Sequence, residues 1–364
     1  MSGAEVSKSA KRVSIRDVAR EAGVSHTTVS LILNGKLNAS PETRERVLSV
    51  AARLNYQPDR YFQQAVKERM RHERGEEGGP RVKTKILGLL VPENIYESIQ
   101  FNDGYYSGVF SGVCSAAAEK GWNILLIPEP KNACGIPQVV LEEKVDGLLI
   151  DGPGYAERME MLCNVIPVAF INTYYPSCEA ISVTPHWVQA GDRIMEYAIA
   201  CGHRNFVFFQ HDIPSENLRQ VNLGLEGAMQ RHGLQLVHPH LSRPRPIREH
   251  NTEEQVEEFV REWEAANPRP TMIITTDYYG SVILNALKKH GYSVPEDVSI
   301  IGRQGTTFSH RSDPPLTTVV YPVYEIGKLG ARLLIEGLEK GKIQPTHTML
   351  RCELLEQSSV KKLI

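Results

Sequence analysis

From Ile86 onward, short continuous apolar segments alternate with amphipathic segments, and this alternation constrains the fold more than any other feature of the sequence. The apolar segments predict strands at 86–91, 123–127, 146–150, 167–171, 205–209, 271–275 and 298–302. The amphipathic segments predict helices near 104–120, 187–200, 216–231, 253–265, 279–290 and 323–340. Parallel strands that are covered on both faces are apolar throughout rather than at alternate positions. The sequence therefore predicts a doubly wound α/β body, long enough to form two lobes.

The first 85 residues differ from this body in charge. Residues 1–85 contain 17 Lys and Arg against 10 Asp and Glu, whereas residues 86–364 contain 24 against 33. A basic head on an acidic body is typical of a protein whose head binds a polyanion. Charge alone is equally consistent with a solvated surface that binds nothing.

Helix start and stop signals divide the head into three short helices. Ser14 precedes the segment IRDVAREA, which ends at Gly23, and Ser25 begins a second helix that ends near Asn34. Ser40 and the proline after it begin a third helix. Three short helices with a tight turn between the first two are the pattern of a helix-turn-helix.

The second helix has an apolar face and a short polar face. Val29, Ile32 and Leu33 recur at helical spacing and can close a small core with Val18 and Val47. The opposite face consists of His26, Thr27, Ser30, Leu31 and Asn34. Basic residues flank this face, which suits a helix in the major groove with cations on the phosphates. The alternative is a helical hairpin that packs on another protein.

The stretch SIRDVAREAGVSHTTVSLILNG, followed by SPETRERVLSVAARLNYQP, closely resembles the DNA-binding domain of the LacI/GalR family of bacterial transcription regulators. The resemblance implies base contacts by His26, Thr27 and Leu31. It implies phosphate contacts by Ser25, Thr28, Ser30 and Asn34. Many family members have Arg at the position of Leu31, but leucine contacts a thymine methyl rather than guanine. We therefore expect residue 31 to face a T·A pair, unless its side chain turns inward.

In the family, the segment after this domain folds into a hinge helix whose leucine wedges into the minor groove. The corresponding residue here is Ala65, which is too small to open a base step far, so insertion would depend on Phe62 or Val66. The resemblance still implies phosphate contacts by Arg60 and Gln64. The following segment, RHERGEEGGPRVKTK, predicts a flexible tether. The predicted domains are the helix-turn-helix head at 12–58, the hinge helix and linker at 59–84, and the two-lobed body at 85–358.

Parallel α/β sheets bind ligands beyond the carboxyl ends of their strands. The residues that follow the predicted strands include Asp151, Asn172, Asp277 and Arg303, with several tyrosines nearby. Carboxylates, amides and tyrosine rings around a cleft suit a small polyhydroxylated molecule. A tyrosine at the start of a helix is nevertheless more often structural than ligand-stacking.

The body also resembles the family's effector domain, which has the shape of a periplasmic sugar-binding protein; GWNILLI, KVDGLLI and HGYSVPEDVSIIG are among the matching segments. The family's effector-binding arginine falls on Val221, with Arg219 close by. GRQG replaces the usual GFDD and puts Arg303 and Gln304 where acidic groups are common. This exchange predicts either a negatively charged ligand or a pocket that binds nothing. The candidate ligand-binding residues are Tyr105, Tyr106, Asp151, Asn172, Arg219, Asp277 and Arg303.

The resemblance implies a homodimer that binds a pseudo-palindromic operator, and usually represses, under the control of a small ligand, expected to be a carbohydrate. An activator or a ligand-independent regulator of the same fold is the alternative. An enzyme is not expected, because no nucleotide-binding loop or nucleophile motif occurs. A solute receptor would need a signal peptide and no basic head. Six cysteines without CxxC spacing predict no metal and no cofactor, and the sequence predicts a cytoplasmic protein with no membrane partner.

Overall fold

The computed structural model describes residues 15–26, 28–29, 40, 43, 46–47, 49–50, 82–92, 104–129, 135–152, 156–210, 216–246 and 252–363. The chain divides into two compact units, Met1–Glu77 and Gly78–Ile364. Part of the expected DNA-contact set lies outside the described residues: Thr27, Ser30, Leu31, Asn34, Arg60, Gln64 and Ala65. The hinge helix and most of the linker expected at 59–84 also lie outside them.

In the first unit, helix α1 (Ile15–Ala22) presents one apolar face. Val18, Val29 and Val47 are fully buried, which confirms the core that the helical spacing predicted for these three positions. Arg16 and Arg46 are exposed, as expected for basic residues that flank a binding face.

The second unit contains two sheets, which define two lobes. Lobe 1 contains a six-stranded parallel sheet in the order β10-β5-β4-β3-β1-β2, and lobe 2 contains a five-stranded sheet in the order β11-β9-β8-β7-β6. Only β11 is antiparallel to its neighbour among these pairs of described strands. The strands are β1 (Ile86–Pro92), β2 (Asn123–Glu129), β3 (Gly147–Asp151), β4 (Val168–Ile171), β5 (Ile181–Pro185), β6 (Phe206–Phe208), β7 (Met272–Ile274), β8 (Ser299–Gln304), β9 (Thr317–Val320), β10 (Thr346–Leu350) and β11 (Glu353–Leu355).

Helices cover both sheets on each face, as the apolar strands require. In lobe 1, Leu89 of β1 lies level with Leu126 of β2 and Leu149 of β3. In lobe 2, separate apolar clusters form around Trp187 on one face and Trp263 on the other. The helices are α2 (Tyr105–Lys120), α3 (Gln138–Leu141), α4 (Ala156–Cys163), α5 (Trp187–Ala200), α6 (Glu216–Arg231), α7 (Thr252–Ala265), α8 (Asp277–Lys289), α9 (Thr307–Arg311) and α10 (Val323–Glu339).

The chain crosses between the lobes three times, after β5, after β9 and after β10. Helix α5 follows a strand of lobe 1 but packs on α6 in lobe 2, and α10 follows a strand of lobe 2 but packs on α2 in lobe 1. The crossings after β5 and β10 are tied together, because the His186 amide donates to the Leu350 carbonyl at 2.8 Å and the Cys352 amide donates to Oε1 of Gln189 at 3.0 Å. Tyr321, in the crossing after β9, belongs to the same apolar cluster as Trp187 and Cys352. The two lobes therefore share a hinge of three adjacent connections.

The start of the body is fixed to lobe 1 by one carboxylate. The two oxygens of Asp146 accept hydrogen bonds from the backbone amides of Lys83, Thr84 and Lys85 at 2.7–3.2 Å. This contact holds the residues that enter β1. At the other end the body continues beyond the boundary expected at 358, because Ser359 is fully buried and accepts from the Thr317 amide at 2.9 Å.

All seven predicted strands are present, but β5, β9, β10 and β11 lie where no strand was predicted. None of the described helices has the length and apolarity needed to cross a bilayer. The described cysteines are free thiols.

Candidate functional site

The turn that begins the second helix of the head is capped by Ser25. Its Oγ accepts a hydrogen bond from the Thr28 amide at 3.0 Å, and the two hydroxyls lie 2.8 Å apart. The amide of Val29 donates to the Ser25 carbonyl at 3.1 Å, which closes the first turn. His26, inside this turn, is exposed. The head thus presents an imidazole and two hydroxyls at the helix end that a helix-turn-helix directs toward the groove.

In the body, three of the predicted ligand-binding residues meet at the carboxyl end of the lobe 1 sheet. Asp151 is the last residue of β3, and Asn172 directly follows β4. Oδ1 of Asp151 accepts a hydrogen bond from the Tyr105 hydroxyl at 3.3 Å and from Nδ2 of Asn172 at 3.5 Å. The rule that ligands bind beyond strand ends predicted this convergence.

Two oxygens of this cluster have no hydrogen-bond partner among the described residues. They are Oδ2 of Asp151 and Oδ1 of Asn172, and both side chains are buried. Burial raises the pKa of Asp151 to about 7, against the opposing effect of hydrogen bonds from Asn172, Tyr105 and the Gly152 amide. Buried acceptors without donors are costly and rare, so this edge of the sheet is suited to a molecule that supplies hydrogen-bond donors.

Asn217 joins this cluster from the other lobe, a contact that the sequence reasoning missed. It lies in the first turn of α6, and its Nδ2 donates to the backbone oxygen of Asn172 at 2.9 Å. Asn172 adopts a positive φ of 53°. Asn217 precedes Val221 by one helical turn, so it shares a helix face with the position where the family has its arginine. That spacing is the signal that could have identified it.

Arg219 does not join the cluster. Its guanidinium is exposed and is held by Glu216 on the same helix, at 2.7 Å and 2.5 Å. In the described part of the chain no hydrogen bond links Arg219 to Asp151 or Asn172. Val221 is buried in the lobe 2 core.

Asp277 is fully buried, and its carboxylate holds the segment after β8 in place. It accepts from the Thr306 amide at 2.6 Å, from the Thr306 hydroxyl at 3.1 Å and from the Thr318 hydroxyl at 2.6 Å. Gly302 permits this approach, because a Cβ there would lie 2.1 Å from Oδ1 of Asp277. Burial raises the pKa of Asp277 to about 6. The structure gives this residue a positioning role, and contact with a ligand stays a prediction.

Arg303 lies near the end of β8 and is half-buried. Its guanidinium is beside the hydroxyl of Tyr321, the first residue of the crossing after β9. Burial raises the pKa of that hydroxyl, and the charge of Arg303 opposes the rise. Although the two groups are close, the Tyr321 hydroxyl is buried without a hydrogen bond of good geometry to any described residue.

Tyr106 lies beside Tyr105, with the ring centroids 5.0 Å apart in an edge-to-face arrangement. It lines a pocket of about 340 Å³ that includes space open to solvent. The pocket is lined by Leu89, Val91, Tyr106, Val109, Phe110, Leu126 and Asp151. Within the described ranges no group of His, Cys, Asp or Glu is arranged to hold a metal ion.

Comparison with known proteins assigns the two units. Residues 14–59 match the family described as bacterial regulatory proteins, lacI family, and residues 195–360 match the periplasmic binding protein-like domain. Catabolite control protein A of Staphylococcus xylosus is 27% identical over 345 residues, 93% of this chain and 96% of that protein. The same protein of Priestia megaterium is 27% identical over 357 residues, 96% of this chain and 99% of that protein. The chain therefore combines a LacI-family DNA-binding domain with a periplasmic binding protein-like domain.

Solved structures of LacI-type regulators share the fold. The transcriptional regulator CelR in complex with cellobiose matches with a TM-score of 0.67 and 22% identity, over 96% of this chain and 100% of that chain. The lac repressor dimer bound to operator and the anti-inducer ONPF matches with a TM-score of 0.63 and 21% identity, with the same coverage. The predicted fold of a helical head and a two-lobed parallel body is confirmed. The prediction of a DNA-binding transcription regulator is also confirmed, and these relatives are regulators rather than enzymes.

Proposed function

We propose that this LacI-family chain is a homodimeric repressor whose operator binding is controlled by a sugar or sugar derivative in the cleft between the lobes. The observation that carries the ligand assignment is the pair of buried, unpartnered oxygens on Asp151 and Asn172. Hydroxyl groups of a polyol would donate to both. Binding of cellobiose by CelR, a protein of the same fold, supports this class of ligand. The regulator would act in the cytoplasm, where operator DNA lies.

For DNA, we propose that the second helix of the head reads bases through His26, Thr27 and Leu31. Phosphate contacts by Ser25, Thr28, Ser30 and Asn34 would fix its register. Arg60 and Gln64 would add phosphate contacts from a hinge helix in which Ala65 opens the minor groove little or not at all. Two heads on a dimer would bind two half-sites related by a two-fold axis, and the operator-bound lac repressor dimer supports that assembly.

The cleft can influence the head only if the ligand binds one arrangement of the lobes better than another. Asp151 and Tyr105 belong to lobe 1 and Asn217 belongs to lobe 2, yet all three meet around Asn172. A ligand that donates to Asp151 and Asn172 would therefore stabilise the arrangement in which α6 is drawn to lobe 1. Such a ligand would bind this arrangement of the lobes more tightly than an arrangement in which α6 lies away from lobe 1, as control of the head requires.

The DNA assignment is tested by selecting a binding site from random duplexes and then comparing two head variants of the full chain. His26→Ala should relax the preference at one base pair of each half-site, by about 1–3 kcal/mol of discrimination. Arg46→Ala should weaken binding to every sequence alike and reduce the salt dependence by about one phosphate contact. If His26→Ala weakens all sequences equally, residue 26 does not read a base.

The ligand assignment is tested with the selected operator and a panel of neutral and acidic sugars. At least one sugar should change operator affinity of the wild-type chain about tenfold, and Asp151→Asn should bind operator normally but lose that response. A panel with no effect on the wild-type chain would favour a ligand-independent regulator. A reporter promoter carrying the operator distinguishes repression from activation.

A further inference from the structure

The ligand cleft is asymmetric in charge and hydrogen-bonding capacity. Lobe 1 contributes acceptors, since the unpartnered atoms of Asp151 and Asn172 are both oxygens. Lobe 2 contributes a cation, Arg303, at the end of β8. A ligand that matches both sides carries donors at one end and acceptors or a negative charge at the other.

Arg303 has no carboxylate partner within 4 Å in the part of the chain that the structure describes. The acid of the same lobe that reaches this segment is Asp277, but its oxygens accept hydrogen bonds from Thr306 and Thr318. Salt bridges elsewhere in lobe 2 are common, for example between Arg245 and Glu262. Arg245 is the other described arginine of lobe 2 that is not exposed, and it has a carboxylate partner where Arg303 has none. Guanidinium groups pair preferentially with carboxylates and phosphates.

Several contacts place Arg303 at the same cleft as the lobe 1 acceptors. Arg303 lies beside Tyr321, which leads into α10. Helix α10 packs on α2, whose first residue, Tyr105, donates to Asp151. The lobes also approach each other here, because a Cβ added at Gly104 would lie 3.4 Å from Cγ2 of Thr307. Thr307 begins α9, four residues after Arg303.

The helix that faces the cleft from lobe 2 supplies no second cation at the position the family uses. Val221 is buried and apolar, and Arg219 is exposed and held by Glu216. The positive charge offered to a ligand comes from strand β8 rather than from α6. The polar end of the ligand should therefore be directed toward the end of β8 and the Tyr321 hydroxyl.

We infer that the cleft takes an anionic sugar, with hydroxyls that donate to Asp151 and Asn172 and a carboxylate or phosphate that accepts from Arg303. This inference rests on the proposed role of the cleft as the ligand site and names the class of ligand. A neutral sugar would satisfy the lobe 1 acceptors but leave Arg303 unpaired, and a cationic ligand would be repelled by it.

The test is isothermal titration of the full chain with matched probes: glucose, galactose and mannose, their uronates, and their 6-phosphates. At least one anionic probe should bind ten times more tightly than its neutral parent, and the uronate and phosphate arms distinguish the two sources of charge. Arg303→Gln should abolish that preference by lowering the affinity for the anionic probe to about that of its neutral parent. Arg261→Gln removes an exposed positive charge from α7 of the same lobe and should leave both affinities unchanged.

Three results would overturn the inference: a neutral parent that binds as tightly as its anion, a preference that survives in Arg303→Gln, or no binding of any probe. Failure of the inference is distinguishable from failure of the proposed function. If neutral sugars bind and change operator affinity, the cleft is a regulatory site for neutral sugars: the proposed function holds and the inferred ligand class is wrong. If anionic sugars bind without any change in operator affinity, the ligand class holds and the regulatory role is wrong.

Discussion

Replacing Asp151 by Asn tests whether this carboxylate is kept for ligand binding rather than for stability. Burial raises its pKa to about 7 from an ordinary value of 3.8, so the native chain retains a proton that the unfolded chain has lost. Stability therefore falls as the pH rises from about 4 to 7 and levels off above 7. One pKa unit is worth about 1.4 kcal/mol. The raised pKa therefore lowers the free energy of unfolding by about 4 kcal/mol at pH 8 and by about 2 kcal/mol at pH 5.5, relative to an Asp151 with the ordinary pKa.

The amide removes this penalty, and its oxygen can still accept from Tyr105 and Asn172. Asp151→Asn should therefore be more stable than the wild-type chain, by up to about 4 kcal/mol at pH 8 and about half as much at pH 5.5. Urea unfolding followed by tryptophan fluorescence measures this, because Trp122 reports on lobe 1 and Trp187 on lobe 2. The same variant should lose its sugar response.

Asp146→Asn is the matched control in the same lobe. Its carboxylate accepts from three backbone amides, so an amide group there replaces an acceptor by a donor and should destabilise the chain by about 2 kcal/mol or more. A loss of stability in Asp151→Asn at pH 8, or a difference from wild type that does not change with pH, would refute the burial argument.

Three further predictions concern packing, pH and base recognition. Gly224→Ala should lower the free energy of unfolding in urea by about 1–3 kcal/mol, because the added methyl would lie 2.0 Å from the Val188 carbonyl oxygen. Gly227→Ala should raise it by up to about 1 kcal/mol, because the nearest atom there is 3.8 Å away. Equal effects of the two substitutions would contradict the close crossing of α5 and α6. Hydrogen bonds to two glutamates raise the pKa of His290, so its stabilisation is complete below about pH 6.5 and is lost as the pH rises through the raised value. His290→Gln should therefore lower the melting temperature more at pH 6 than at pH 9. Selection from random DNA should enrich a T·A pair opposite Leu31. An enriched G at that position would contradict the predicted contact between Leu31 and a thymine methyl.

The fold could be predicted from the sequence wherever strands are continuous apolar runs. The unpredicted strands contain polar residues that no local pattern marks as buried. Thr317 and Thr318 of β9 are fully buried because their hydroxyls bond to the Gln357 amide and to Asp277, some 40 residues away in sequence in each case. Strand β10 is partly exposed at an edge of lobe 1, so it lacks the apolar run as well.

The residues of the candidate site were likewise predicted only where a local feature of the sequence marks them. Asp151 and Asn172 were predicted because each follows a strand, and position after a parallel strand is a local feature of the sequence. Asn217 was missed because its contact depends on how α6 of lobe 2 approaches lobe 1. Arg219 was chosen for its charge and its nearness to Val221, but a side chain two residues along a helix points in another direction and pairs with Glu216.

We expect the head to read the edges of base pairs and the body to control when it does so. The most direct test is the affinity of the full chain for its selected operator relative to a scrambled duplex of equal length, at physiological salt. We predict a ratio of about 10³ or more, the range of sequence-specific DNA-binding proteins. Equal affinity for the two duplexes would contradict the account.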